Sequence, residues 1–150
     1  MYTRRSWREK MDNPNLPKVV DVPLTWQKRY GPGRMLLPSP RQVEALIRAV
    51  PKGRLITVAG IREILAAEHM TDIACPLVTG ISVRLAAEAA EEDAQAGKSR
   101  ITPYWRVVKK DGSLYPKFPG GVSRQAERLC AEGHRILPAR GKRPPRVAAL

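Results

Sequence analysis

The chain has 150 residues, and its 27 Lys and Arg outnumber its 14 Asp and Glu, leaving a formal net charge of +13. A hydrophobic fraction of 43% can form a core, so composition excludes wholesale disorder and favours one domain. No apolar run approaches the roughly 18–20 residues of a membrane span. Two cysteines, Cys75 and Cys130, exclude a disulfide-rich scaffold and a four-cysteine zinc site. We expect a cytoplasmic protein, nucleoid-associated if bacterial, with no metal, cofactor or membrane partner.

Basic residues are segregated along the chain. They collect in 1–18, in 98–117 and in 135–146, whereas the main acidic cluster at 88–93 is confined to one predicted helix. A surface that faces phosphates needs this separation of charge. Duplex DNA is therefore the favoured partner, and RNA is the alternative because basic tails bind any nucleic acid.

The N-terminal third is predicted to contain little regular structure. Residues 1–18 are polar and basic, which predicts a flexible arm. Segment 19–39 combines Pro and Gly with apolar anchors, which indicates an ordered wrapping segment. Ser39 followed by Pro40 is typical of a helix start, and apolar residues at helical spacing extend this helix to about residue 50.

A helix-turn-helix is predicted next. Thr57 can cap a helix that runs to a break at 69–72, and a third helix covers about 74–96 until Gly97 ends it. Apolar residues recur at helical spacing in both helices. The second of them would be the recognition helix of a DNA-binding motif.

The C-terminal third predicts a small wing. Segment 104–108 has strand character and is followed by a hairpin-type turn at 110–113. A last helix covers about 122–132, and the proline-containing segment 135–150 is predicted to be a flexible basic tail. The predicted fold class is α+β, mostly α: a single winged helix-turn-helix-like domain over 40–134, with a small β-hairpin and basic flexible tails.

Five short segments occur in an order that resembles a known family. They are Val-Pro-Lys-Gly-Arg-Leu-Ile-Thr at 50–57, Pro-Tyr-Trp-Arg-Val-Val at 103–108, Asp-Gly-Ser-Leu at 111–114, Gly-Gly at 120–121 and Glu-Gly-His at 132–134. Together they resemble the C-terminal domain of the O6-alkylguanine-DNA alkyltransferases (methylated-DNA–protein cysteine methyltransferases) and the related alkyltransferase-like proteins. The resemblance implies a winged helix-turn-helix that binds the minor groove and flips out an alkylated guanine.

The family's active-site signature, Pro-Cys-His-Arg-Val, has lost its chemistry here. Tyr104 stands in place of the alkyl-accepting cysteine, and Trp105 in place of its histidine. A phenol with a pKa of about 10 is roughly 0.1% ionised at neutral pH and is a poor nucleophile toward alkyl carbon. Glu132 matches the family's supporting acid but has no histidine to orient. We predict no enzyme activity, and we expect Cys75 and Cys130 to pack as small hydrophobes.

Residues that read the base in the family also differ. Val58 replaces the base-flipping tyrosine, Leu77 replaces the intercalating arginine, and Phe-Pro-Gly-Gly at 118–121 replaces Tyr-Ser-Gly-Gly. Pro119 has no backbone N–H to donate to a guanine oxygen. Leu77 can wedge into a base step, as apolar side chains do in some minor-groove proteins, but it cannot hydrogen-bond an orphaned base.

The predicted function is non-catalytic DNA binding. The predicted DNA-binding residues are Leu77, Arg84, Arg106, Lys109 and Lys110. The predicted base-pocket residues are Tyr104, Trp105, Phe118 and Pro119. Tyr104 and Trp105 either stack on a flipped base or pack in the core. The resemblance implies sensing of alkylated guanine for repair proteins. The alternative is an RNA-associated or protein-interaction module whose base pocket is filled by aromatic residues.

Overall fold

A computed structural model describes residues 5–148 and has the α+β composition that the sequence predicts. Within that range the helices are α1 (Trp7–Lys10), α2 (Leu24–Tyr30), α3 (Pro40–Arg48), α4 (Val58–Glu68), α5 (Pro76–Gln95) and α6 (Gly121–Ala131). The strands are β1 (Lys18–Asp21), β2 (Arg34–Leu37), β3 (Ile56–Thr57), β4 (Ile73–Ala74), β5 (Val107–Val108), β6 (Ile136–Leu137) and β7 (Arg146–Val147). In this part of the chain, no helix combines the length and apolar character of a membrane span.

Local capping explains where α3 and α4 begin. Ser39 Oγ accepts a hydrogen bond from Gln42 N at 3.2 Å, and Gln42 Oε1 accepts one from Ser39 N at 3.1 Å. This reciprocal pair is a capping box and satisfies backbone donors that the first helical turn leaves free. Thr57 Oγ1 plays the same part for α4 by accepting from Gly60 N at 2.9 Å. Both helices therefore start where the sequence predicts.

The predicted helix-turn-helix consists of α4 and α5. The connection between them contains β4, which pairs parallel with β2, and β2 pairs antiparallel with β1. The 20-residue α5 packs against α1, α3 and α4. Its buried face is rich in alanine, namely Ala86, Ala87, Ala89 and Ala90. Small side chains at a helix contact allow close approach of the helix axes, so α5 packs closely against its neighbours at the centre of the fold.

Segment 104–108 is a strand only at its end. Tyr104–Arg106 form a 3-10 turn after Pro103, and β5 then pairs parallel with β3. The chain turns at 109–113, where Gly112 N donates to Lys109 O at 2.8 Å. Ser113 bridges to Arg146 instead of extending a hairpin with β5, so the wing predicted here is built differently.

The small β-hairpin is formed by β6 and β7, inside the segment predicted as a flexible tail. The two strands pair antiparallel, and Val147 is buried in the core. Val147 N donates to Gly112 O at 2.9 Å, and Leu114 N donates to Pro145 O at 3.0 Å. An apolar anchor and backbone bonds thus hold 135–148, whereas residues 149–150 lie outside the described range.

The N-terminal segment is also packed where it is described. Ser6 caps the short helix α1, and Met11 is fully buried in the core. Arg8 donates to Glu44 at 2.8 Å and to Asp93 at 2.6 Å. Residues 6–12, within the segment predicted as a flexible arm, are therefore docked on α3 and α5. The predicted wrapping segment 19–39 contains β1, α2 and β2, and residues 1–4 lie outside the described range.

Candidate nucleic-acid interface

The first half of α5 presents an exposed face with an apolar start. Leu77 is 61% exposed and Ile81 is 51% exposed, and Arg84 is exposed one turn further on. Their spacing of four and three residues places all three on one side of the helix. Large apolar side chains left in water on the second helix of a helix-turn-helix indicate a surface that a partner covers. Of the predicted DNA-binding residues, Leu77 and Arg84 lie here.

The depression beside Leu77 is lined by α2. Trp26 and Tyr30 contribute aromatic walls, their ring centroids lying 6.0 Å apart, and the guanidinium of Arg62 lies 5.7 Å from the Tyr30 centroid. Leu24, at the start of α2, is also exposed. The segment 19–39 therefore flanks the exposed face of α5, a placement that the sequence does not indicate.

The predicted base-pocket residues are packed against one another. Tyr104 is fully buried, and its ring centroid lies 5.4 Å from that of Trp105 and 5.5 Å from that of Phe118, both in edge-to-face contact. Tyr115 stacks on Phe118 at 4.6 Å. Edge-to-face aromatic packing of this kind stabilises a core beyond the area that it buries. Three of the four predicted base-pocket residues thus pack against one another, whereas Pro119 lines a surface depression together with Glu91 and Arg124.

Tyr104 is positioned as a hydrogen-bond donor. Its hydroxyl donates to Glu91 Oε1 at 2.6 Å, and Glu91 also accepts from Arg128 at 2.9 Å. Burial and then the bond to Glu91 raise the pKa of Tyr104 well above its ordinary value. Burial alone would raise the pKa of Glu91, but the bond from Tyr104 and the charges of Arg128 and Arg124 bring it below its ordinary value. The phenol is consequently protonated at neutral pH and serves as the donor to the Glu91 carboxylate.

Arg106 is held by internal contacts. Its guanidinium forms an ion pair with Glu132 at 2.7 Å and donates to Val50 O at 2.7 Å, and both side chains of the pair are largely buried. Burial would raise the pKa of Glu132, but the bond from Arg106 brings it below its ordinary value. The predicted phosphate contact of Arg106 would therefore require breaking its ion pair with Glu132.

Gln125 fixes the segment that contains these residues. Its side-chain amide is buried and donates to Val107 O at 2.8 Å and to Trp105 O at 3.2 Å, and its oxygen accepts from Tyr115 N at 2.8 Å. A buried amide that uses both its donors and its acceptor holds several backbone segments in one arrangement. The sequence gives no signal for this role, because Gln125 is one of several polar residues on a helix predicted to be partly exposed to solvent.

Lys109 and Lys110 are both exposed on the turn at 109–113. Asp111 Oδ1 accepts from Ser113 N at 2.9 Å and so stabilises the turn. Gly112 has a φ of 87°, and a Cβ there would lie 3.2 Å from Val147 O, so glycine permits the close approach of the C-terminal strand. The two lysines are thereby held beside the β6–β7 hairpin.

The tip of the β6–β7 hairpin carries cations in a segment that the sequence predicts to be a flexible tail. Arg140 and Arg143 exchange backbone hydrogen bonds of 3.0 and 2.9 Å around Gly141 and Lys142. Gly141 has a φ of 60°, which suits the first central position of a two-residue hairpin turn. The sequence signal for this turn is Gly141 between two cations in a segment without acidic residues. We call the turn 109–113 together with this hairpin the basic ribbon.

The two cysteines have different surroundings. Cys75 is buried at the start of α5, as expected, but Cys130 is exposed on α6, so its predicted inward packing is wrong. Within residues 5–148 no group of three or more His, Cys, Asp or Glu side chains is placed to hold a metal ion.

Comparison with known proteins gives a structural neighbour. Neither a family model nor a curated protein matches the sequence. The fold is similar to that of S. pombe Atl1, solved in complex with damaged DNA containing O6-carboxymethylguanine, with a TM-score of 0.50 and 17% sequence identity. The match covers 71% of this chain and 85% of that one. At this identity the likeness concerns the fold alone.

Proposed function

We propose that the protein is a non-catalytic DNA-binding protein that senses alkylated guanine in duplex DNA. The observation that carries the proposal is the exposed Leu77–Ile81–Arg84 face of α5, on a fold shared with a protein solved on damaged DNA. The second helix of a helix-turn-helix is the element that such domains place in a groove. The buried, protonated Tyr104 agrees with binding without alkyl transfer.

The proposed binding mode combines apolar insertion into the groove with contacts to the DNA phosphates. Leu77 and Ile81 enter the groove, and Leu77 loosens a base step there as apolar side chains do in minor-groove proteins. Arg84, Lys109 and Lys110 contact phosphates, which position the protein but do not read sequence. Damaged base pairs are easier to unstack than intact ones, and this difference favours the alkylated site even without a polar base-reading residue.

The test is binding of two matched duplexes, one containing O6-methylguanine and one plain, by fluorescence anisotropy at about 50 and 200 mM salt. We expect tighter binding of the modified duplex, with affinity for both falling steeply as salt rises. Leu77→Ala should reduce the preference for the modified duplex, whereas Met70→Ala, which removes an exposed methionine from the turn before α5, should leave it intact. Equal affinities for the two duplexes would refute lesion sensing and leave general DNA binding.

A second candidate function is a protein- or RNA-interaction module. The observation in its favour is the mutual packing of Tyr104, Trp105 and Phe118, three of the residues predicted to line a base pocket. A protein-interaction module should show no salt-dependent binding to either duplex. Binding of single-stranded RNA in preference to both duplexes would support the RNA form of this alternative.

A further inference from the structure

A cavity of about 490 Å³ opens at the end of α5 opposite to Leu77. It lies between the ends of α3 and α5, the loop 96–103 and α6. Five of its lining side chains are cationic, namely Arg48, Lys98, Arg100, Arg106 and Arg128, and no described residue that lines it is acidic. Since a 20-residue helix is about 30 Å long, this cavity is spatially separate from the exposed start of α5.

Two of the five cations are closely paired, Arg106 with Glu132 at 2.7 Å and Arg128 with Glu91 at 2.9 Å. The acids nearest to the other three are shared with arginines outside the cavity or lie further away. Glu44 is shared between Arg48 and Arg8, which is the closer of the two at 2.8 Å. Asp93 is likewise closer to Arg8, at 2.6 Å, than to Lys98, at 3.5 Å. Glu44 and Asp93 therefore each serve Arg8 outside the lining as well as one cation inside it, so Arg48, Lys98 and Arg100 leave the cavity with a positive charge.

Several donors in the cavity are available to a ligand. Arg100 is exposed and makes no ion pair within the described part of the chain, and the side chain of Lys98 is 61% exposed. Arg48 is 55% exposed and meets Glu44 at a loose 3.6 Å. Arg128 adds a buried Nε without a hydrogen-bond partner. An anion entering here would find partners without breaking a close ion pair.

We propose that this cavity binds a phosphate group. A phosphate offers up to two charges and several acceptor oxygens, which suits three or more converging cations better than the single charge of a carboxylate does. The guanidinium of Arg128 covers the Trp105 ring at 4.4 Å, so the aromatic surface is already occupied and the cavity selects the phosphate, not a stacked base. The phosphate comes either from a free phosphorylated molecule or from the DNA backbone.

The first arm of the test uses pyrophosphate as the probe, measured by isothermal titration calorimetry on the full chain. The variant Lys98→Ala/Arg100→Ala removes two exposed side chains, so it should fold normally, and should weaken binding by about tenfold or more. The control Lys18→Ala/Arg34→Ala removes the same charge from β1 and β2, away from the cavity, and should bind pyrophosphate as the unaltered chain does.

The second arm measures the salt dependence of binding to the plain duplex with the same variants. If the phosphate belongs to DNA, Lys98→Ala/Arg100→Ala should reduce the log–log salt slope by up to about 2, and the control should not. If it belongs to a free molecule, only pyrophosphate binding changes. No difference between variant and control in either arm would overturn the proposal. Pyrophosphate binding by a chain that binds no DNA would uphold it while refuting the proposed function.

Discussion

At the scale of single residues, burial and hydrogen bonding decide which cationic side chains are available to contact a phosphate. Arg106 and Arg84 are both arginines in segments that the sequence associates with DNA. Arg106 is held between Glu132 and the carbonyl of Val50, whereas Arg84 is exposed on α5. A guanidinium that satisfies a largely buried carboxylate stabilises the fold, and withdrawing it for a phosphate would leave that carboxylate unpaired.

This difference predicts opposite consequences of two matching substitutions. Arg106→Ala should lower the free energy of unfolding by about 3–5 kcal/mol, because it leaves Glu132 buried without its partner. Arg84→Ala should change stability by less than about 0.5 kcal/mol and lower the salt slope of DNA binding by about 0.9. Urea unfolding and anisotropy titrations measure the two effects. A stable Arg106→Ala variant with reduced DNA affinity would restore Arg106 to the DNA contacts.

At the scale of elements, the basic ribbon adds an ordered group of cations to the surface that we propose binds DNA. The turn 109–113 and the β6–β7 hairpin are distant in sequence but joined by backbone hydrogen bonds at Gly112 and Leu114. The cations of the hairpin tip are therefore presented on an ordered element, which costs less conformational entropy on binding than a mobile tail would. Two-stranded ribbons of this kind can lie along a groove or against a backbone.

The hairpin tip should consequently contribute to DNA affinity without reading the base. We expect Arg140→Ala/Lys142→Ala/Arg143→Ala to weaken binding to modified and plain duplexes equally, and to lower the salt slope by about 2–3. The control Lys18→Ala/Lys28→Ala/Arg34→Ala removes three exposed cations from β1, α2 and β2 and should have a smaller effect. Anisotropy at several salt concentrations measures both. Equal losses in the two triple variants would mean that net charge alone, not the ribbon, is responsible.

At the scale of the whole molecule, a network of partly buried ion pairs ties distant segments to α5. Arg8 joins α1 to Glu44 and Asp93, and Arg128 joins α6 to Glu91. Glu92 adds to this network by accepting from the backbone N–H groups of Trp7 and Arg8 at 3.0 Å each. These contacts explain how a chain with a large net positive charge keeps its N-terminal segment docked.

The network predicts loss of stability in acid. Glu91 and Glu132 have pKa values below the ordinary 4.5, so they stabilise the fold above that pH and lose this contribution as the pH falls through their folded-state values. Urea midpoints should be lower at about pH 3 than at about pH 6. Glu91→Gln should be less stable at neutral pH and show a shallower acid dependence. If the urea midpoint of the variant changes with pH as that of the unaltered chain does, Glu91 does not contribute to the acid sensitivity.

Prediction from sequence succeeded where the deciding interactions are local. The starts of α3 and α4 follow from Ser39 and Thr57, whose side chains bond to backbone groups three residues away. The placement of Arg106 and Gln125 could not be predicted in this way, because their partners lie 10 to 56 residues along the chain. For the candidate site, the sequence placed Leu77 and Arg84 on one helix, but it left open whether Tyr104 and Trp105 stack a base or pack in the core, and only the structure shows them packed with Phe118.

The sequence by itself determined the α+β class, the helix-turn-helix and the positive charge. Composition, capping and helical periodicity are properties of neighbouring residues and need no tertiary information. Tertiary structure alone decided that the N- and C-terminal segments pack, that Arg106 faces inward and that the hairpin adjoins the turn 109–113. Those outcomes depend on buried partners from distant parts of the chain, as when Val147 enters the core and Arg8 reaches Glu44 and Asp93.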